Sequence, residues 1–242
     1  MKICIINPNT SSAMTNNIKS SAVSVVGDEV EINCINPGDG PESIEGYYDE
    51  VFGSVGVVKA LKDSANADGY IIACFDDTGL DAARSMTDRP VIGIGEAAFH
   101  VASLVSEYFT VITTLERSVN AIRNNLLRYG LGSRCVNVIA SEIPVLELEK
   151  YSTKSKKIIS ELITRTKRED SAGAIVLGCA GMGDFAQELS ESNSLPVVDG
   201  VKAAVCLAES LIKLNLKTSR LGGYQPPLKK KYAGSMANFA PK

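Results

Sequence analysis

The sequence has a single histidine, His100, and six cysteines of which no two form a Cys-x-x-Cys pair. Zinc ligation has little to draw on, and a Ser-His-Asp hydrolase would have to rest on one residue. His100 lies in Glu96-Ala97-Ala98-Phe99-His100-Val101-Ala102, which reads as helix, and is expected packed or partly exposed there. No stretch approaches the ~18 consecutive apolar residues of a membrane span. The N-terminal run Met1 to Ile6 turns polar at Asn7, short of the roughly 7–15 apolar residues of a signal peptide. A cytoplasmic protein with reduced thiols and no membrane partner is expected. Charge of one sign is missing too: 25 Lys and Arg against 28 Asp and Glu leave a net charge of −3, with no basic field for nucleic acid. Lys229 to Lys231, the one basic cluster, reads as a solvated tail. Gly178-Cys179-Ala180-Gly181-Met182-Gly183 has no Lys-Ser or Lys-Thr after it and lacks Gly-x-Gly-x-x-Gly spacing, which disfavours a nucleotide. Gly93-Ile94-Gly95 more simply permits close helix packing.

What is present is an ordinary globular balance, 45% hydrophobic and 22% charged over 242 residues, with material for a sizeable core. Short β-branched runs alternate with helical stretches. Strands are predicted at 3–6, 70–73, 91–94, 109–112, 136–139, 174–177 and 196–198, and helices at 11–25, 80–86, 96–106, 116–129 and 154–167. This βαβα punctuation predicts parallel sheets covered by helices. The chain also repeats itself. Asp68-Gly69-Tyr70-Ile71-Ile72-Ala73-Cys74 matches Ala172-Gly173-Ala174-Ile175-Val176-Leu177-Gly178-Cys179; Pro90-Val91-Ile92 follows the first cysteine by sixteen residues and Pro196-Val197-Val198 the second by seventeen. The predicted fold is therefore α/β, two pseudo-symmetric parallel-sheet domains with the active site in the cleft between them. The first half comprises 1–98 plus 202–242, with a C-terminal helix packing back on it and an irregular arm over 221–242. The second half comprises 99–201.

Ligands of parallel sheets bind beyond the carboxyl ends of the strands, where four loops emerge: Asn7-Pro8-Asn9-Thr10, Cys74-Phe75-Asp76-Asp77-Thr78, Thr113-Thr114, and Gly178-Cys179-Ala180-Gly181. A cysteine at a strand-to-helix turn meets unpaired N–H groups and the positive helix end, both of which lower a thiol pKa. Two such cysteines related by a pseudo-twofold axis would face opposite sides of one planar carbon. That is what racemisation without a cofactor requires, one thiolate removing a proton while the other thiol donates. The N–H groups around Gly178 to Gly181 and the hydroxyls of Thr113 and Thr114 are candidates to hold the enolate oxygen. The plainer reading makes all six cysteines small buried hydrophobes, and for Cys4, Cys34, Cys135 and Cys206 it is the one adopted. Asn9 and Thr10 serve equally well as caps of a helix starting near Ser11.

Ile6-Asn7-Pro8-Asn9-Thr10, Ser43-Ile44-Glu45-Gly46, Ala73-Cys74-Phe75, Pro90-Val91-Ile92-Gly93-Ile94, Thr113-Thr114-Leu115, Val176 to Met182 and Pro196 to Val201 together resemble the hydantoin racemase family, which includes allantoin racemases and belongs to the aspartate/glutamate racemase superfamily. The resemblance implies two α/β domains, no metal or organic cofactor, a homo-oligomer, a small hydantoin as substrate, and Cys74 and Cys179 as the acid/base pair. It also implies that loops carrying Asn9, Ser43, Ile44, Glu45, Phe75, Thr113, Thr114, Gly178, Ala180, Gly181, Gly200 and Val201 surround the ring. Glu45 has a plainer alternative in helix capping or a surface pair. One residue departs from the pattern: Gly or Ser is expected after Cys-Phe, and here it is Asp76. Its charge would raise the Cys74 thiol pKa, or it could bond the N–H-rich ureido group of allantoin. The rivals are an aspartate or glutamate racemase, which needs a cationic clamp that only Arg84 or Arg89 could extend to supply, and a non-catalytic module that binds a ureide.

Overall fold

The computed structural model describes residues 1–64, 66–148 and 153–241. The first repeat runs β1 (Lys2–Ile6), α1 (Ser12–Val23), β2 (Glu31–Ile35), α2 (Tyr47–Asp63), β3 (Gly69–Ile72), α3 (Leu80–Met86), β4 (Val91–Gly93) and α4 (Ile94–Val105). The second runs β5 (Phe109–Thr113), α5 (Glu116–Arg128), β6 (Cys135–Ala140), α6 (Val145–Leu148), α7 (Thr153–Glu169), β7 (Ala174–Gly178), a 3-10 turn (Ala180–Phe185), α8 (Ala186–Asn193), β8 (Val197–Asp199) and α9 (Gly200–Lys213). The sheet orders are β2-β1-β3-β4 and β6-β5-β7-β8, parallel throughout. The same order in both sheets is the duplication read from the sequence. Strands β3 and β7, which lead to Cys74 and Cys179, are buried at every position, as two-sided parallel strands must be.

Of the elements that escape the hydrophobic pattern, two do so for physical reasons the packing shows. Strand β2 lies at a sheet edge and buries only Ile32 fully. Helix α2 contains Gly53 and Gly56, which read as breakers but are needed for contact. A Cβ on Gly53 would stand 2.7 Å from Ile44 Cδ1, and one on Gly56 3.0 Å from Pro37 Cγ.

The two sheets share one core. Residues of β1, α1, α4, β5, α5 and α9 form a continuous apolar cluster between them, while separate clusters lie under α2 and α3 and under α7 and α8. Helix α4 follows β4 yet packs on β7 and β8, and α9 follows β8 yet packs on β3 and β4; the two helices also pack on each other. The change of half placed near residue 98 falls inside the continuous α4, and we retain 1–98 plus 202–242 and 99–201 as a proposal about folding units. Beyond α9 the chain is exposed, with 3-10 turns at Gly222–Tyr224 and Gly234–Phe239. Arg220 fastens this arm to the end of α3 by donating to the carbonyls of Arg84, Ser85 and Thr87. Among the described residues no helix is long and apolar enough to cross a membrane.

Candidate active site

Cys74 and Cys179 stand just beyond β3 and β7, and the backbones leave them alike: Asp77 N–H donates to Cys74 O at 3.0 Å and Met182 N–H to Cys179 O at 3.1 Å. Both side chains are half-buried and line one cavity of about 40 Å³, which is room for roughly three waters. Asn9, Ile44, Phe75, Asp76, Thr114, Gly178 and Ala180 line it with them. Four residues of the wall are not among the site residues expected from the sequence: Met14, Ala73, Ser118 and Val145. Ser118 sits in the first turn of α5 behind the Thr113-Thr114 loop, a position that could have found it. Val145 has no such signal.

Several expected residues act behind the wall. Thr113 donates its hydroxyl to Gly178 O at 3.1 Å, so that proton is already committed, and a Cβ on Gly178 would meet Thr113 Cα at 2.9 Å. Gly200 lies where a Cβ would stand 2.7 Å from Ile94 O, so it and the fully buried Val201 join α9 to α4. The Glu45 carboxylate accepts from Val145 N–H at 2.9 Å, capping α6 and tying the two halves beside the cavity. Ser43 is half-exposed, and neither it nor Gly181 is part of the wall. The cap of α1 is Ser11, whose hydroxyl accepts from Met14 N–H at 3.1 Å; the Asn9 side chain instead accepts from Ser11 N–H.

The expected lowering of the Cys74 pKa by a helix terminus is corrected. Helix α3 starts only at Leu80, and burial, then the Asp76 charge, push the Cys74 thiol up, against the pull of hydrogen bonds from Thr78 and the Asp76 backbone; Asp77 pushes it further. Cys74 therefore rests as a thiol. Asp76 is itself pushed up to about 7 by burial and by the nearby Glu50 and Asp77 carboxylates, against a hydrogen bond from Ser118. Glu50 Oε1 is buried and has no hydrogen-bond partner among the described residues. Of the other thiols, Cys4 is buried, and burial pushes Cys34 and Cys135 up to about 12. Cys206, expected to be buried, is exposed on α9.

Rigid packing holds the Cys74 loop. Phe75 meets Phe99 edge-on at 5.4 Å, and Phe99 stacks on Phe109 at 6.2 Å, joining the halves through one aromatic row. Asp77, in a left-handed conformation with φ 53°, accepts from Gly95 N–H, Glu96 N–H and Tyr129 Oη. A second carboxylate repeats this across the axis: Asp199 caps α9 through Val201 N–H and accepts from Ser21 Oγ of the other half. Among the described residues no lysine or arginine lines the cavity. Arg84 is bound to Glu96 and to Val91 O, and Arg89 lies against Asp88.

Comparison with known proteins agrees in extent and kind. The family model described as Asp/Glu/Hydantoin racemase matches residues 3–208. The chain is 40% identical to a hydantoin racemase of Pseudomonas sp. (strain NS671), over 99% of this chain and 97% of that one. The solved allantoin racemase from Klebsiella pneumoniae is 41% identical and superposes with a TM-score of 0.96 over all of both chains. That from Pseudomonas fluorescens is 35% identical, with a TM-score of 0.94 over 97% of this chain and all of the other.

Proposed function

The chain belongs to the Asp/Glu/Hydantoin racemase family, and on that premise we propose that it interconverts the enantiomers of 5-substituted hydantoins, allantoin foremost, by proton transfer between Cys74, Cys179 and C5. The observation that carries this reading is that two cysteines from equivalent strand ends line one cavity. The C5–H of a hydantoin lies between a carbonyl and a ring nitrogen, so loss of its proton leaves a delocalised carbanion within reach of a thiolate base. In one direction Cys179 removes the proton and the resting thiol of Cys74 delivers another to the opposite face. The roles then exchange for the other enantiomer, and each turnover leaves the pair in the protonation state that the reverse reaction needs. The oxygen that gathers charge would be held by N–H groups around Gly178 to Gly181 and by the Thr114 hydroxyl, since the Thr113 hydroxyl is committed elsewhere. A homo-oligomer and a cytoplasmic setting belong to the same proposal, and light scattering tests the first.

The reading is tested by following the optical rotation of (S)-allantoin, with 5-benzylhydantoin, L-aspartate and L-glutamate in parallel, chelator throughout and enzyme-free controls. Decay to zero with the hydantoins alone supports it. Among the described residues no cation lines the cavity, which disfavours the dicarboxylate amino acids, whose second carboxylate would be buried unpaired. Turnover on them, or on nothing, would overturn the proposal, the latter in favour of a ureide-binding module.

Allantoin is favoured because Asp76 is an acceptor in the wall and the ureido substituent is rich in N–H donors. Its bond to Asp76 would also draw off the charge that holds the Cys74 thiol up. We expect the ratio of kcat/KM for allantoin to that for 5-benzylhydantoin to rise with pH through about 7, where Asp76 ionises, and to lose that rise in Asp76→Gly. An unchanged preference in the variant would remove Asp76 from recognition. Stability should report the same group. In the unfolded chain Asp76 ionises near ~4, whereas folded it keeps its proton to about pH 7. The folded state binds the extra proton between these values, so this group's contribution declines as pH rises through the window. Asp76→Asn should therefore gain in Tm over the parent progressively from about pH 4 to about pH 7 and not below.

A further inference from the structure

We infer that Asn7 is a positioning residue that fixes the Asn9 side-chain amide with its nitrogen toward the cavity, so that Asn9 donates to the substrate oxygen on which charge develops. The inference rests on the racemase reading and deepens it. Asn7 and Asn9 are 1% and 5% exposed, and two backbone N–H groups fix which atom of each amide is oxygen. Ser11 N–H donates to the Asn9 side chain at 2.9 Å, so the atom there must be Oδ1. Asn9 N–H donates to the Asn7 side chain at 3.3 Å, so that atom is the Asn7 Oδ1 and its Nδ2 faces the other way. Asn7 Nδ2 then donates one hydrogen to Asn9 Oδ1 at 2.8 Å and shares the other between Thr15 Oγ1 at 3.0 Å and Ser11 O at 3.3 Å. Both lone pairs of Asn9 Oδ1 are thus filled, and turning the amide over would set its NH₂ against two donors.

The consequence falls on Asn9 Nδ2. Its partner is Met14 Sδ at 3.2 Å, a weak thioether acceptor, and Asn9 and Met14 both line the cavity with the two cysteines. A hydantoin carbonyl is a better acceptor than a thioether, and better still as its oxygen gains charge, so the bond strengthens toward the transition state. The Asn-Pro-Asn order serves this arrangement. It lets the Asn7 side chain reach the N–H two residues on, as in an Asx turn, and Pro8 between them brings no competing N–H.

The test is a double-mutant cycle on racemisation of (S)-allantoin, or of 5-benzylhydantoin if that is the better substrate, using the parent, Asn7→Asp, Asn9→Ala and the double variant. Asn7→Asp keeps the size of the side chain but faces Asn9 Oδ1 with an acceptor. Removing an oxyanion donor costs about 10²-fold or more in kcat, so Asn9→Ala should lose about that much with KM little changed. Asn7→Asp should approach the same loss in the parent background and have no further effect in the Asn9→Ala background. A purely structural role for Asn7 would lower kcat by the same factor in both backgrounds, and that result, or an Asn7→Asp variant with parental kcat, overturns the inference. If Asn7→Asp does not fold, Asn7→Ser is read in the same cycle by the same criterion. A parent that racemises neither compound overturns the racemase reading itself, and the relay with it; a racemising parent with an additive cycle overturns the relay alone.

Discussion

Replacing either cysteine by serine should abolish racemisation while leaving half of the chemistry intact. A general acid or base is worth about 10²–10⁴ in rate, and serine is far too weak an acid and base to substitute for a thiol at neutral pH, so Cys74→Ser and Cys179→Ser should each fall by at least that range. The remaining cysteine still views one face of C5. It can remove a proton from that face and return one derived from solvent to the same face, which exchanges hydrogen without inversion. In deuterated water each variant should therefore exchange the C5 hydrogen of one enantiomer only, and the two variants should exchange opposite enantiomers, as NMR of the recovered hydantoin would show. A single mobile base would predict loss of both activities in one variant and neither in the other. Near-parental racemisation in both variants would remove the two-thiol mechanism altogether.

The second large effect should come from a methyl group placed away from the reacting atoms. A Cβ on Gly95 would stand 2.3 Å from Phe75 O and 3.0 Å from Asp77 Oδ2. The first of these is backbone and cannot turn aside. Gly95→Ala must push α4 away from the loop that carries Cys74, and it strains the caps Gly95 N–H to Asp77 Oδ1 at 3.0 Å and Glu96 N–H to Asp77 Oδ2 at 2.9 Å. Overpacking of this kind costs about 1–3 kcal/mol or more, a fall of about 2–12 °C in Tm for a chain of this size. The folded fraction should also lose activity, because a displacement of ~1 Å in a catalytic group can cost ~10²-fold. Gly38→Ala is the control: a Cβ there has nothing within 4 Å, and Tm and kcat should stay at parental values. Equal effects of the two substitutions would mean that α4 does not buttress the Cys74 loop.

Much of this arrangement is legible in the sequence alone. The buried strands announced themselves as short β-branched runs, and strands predicted at 70–73 and 174–177 formed at Gly69–Ile72 and Ala174–Gly178. Helix α3 formed at Leu80–Met86 as expected. The paired Cys and Pro landmarks exposed the duplication that the sheet orders repeat. The legible residues were those whose own chemistry dictates their place: apolar residues exclude water, and a cysteine at a strand end is unusual enough to be noticed. Strand β2 and helix α2 escaped because an edge strand need not be apolar on two faces and because Gly53 and Gly56 serve contact rather than flexibility.

The site was less legible than the fold, since its roles depend on neighbours distant in sequence. Asn9 and Cys74 were visible from strand ends, but nothing local could tell that Val145 would close the wall or that Thr113 would spend its proton on Gly178 O. Local sequence offered both signs for Cys74, a helix end that lowers it and the Asp76 charge that raises it, and could not rank them, because the outcome depends on how the thiol is buried and on where the Asp76 carboxylate lies. The sequence by itself determined the strands other than β2, that they come in two matched sets, and which two thiols stand at equivalent ends, because periodicity and local steric preference act over a few residues. Only the tertiary structure decided that α4 crosses to the second sheet, that one core binds both halves, and how the side chains around the cavity share their protons, because burial and charge proximity arise from packing residues that the chain keeps far apart.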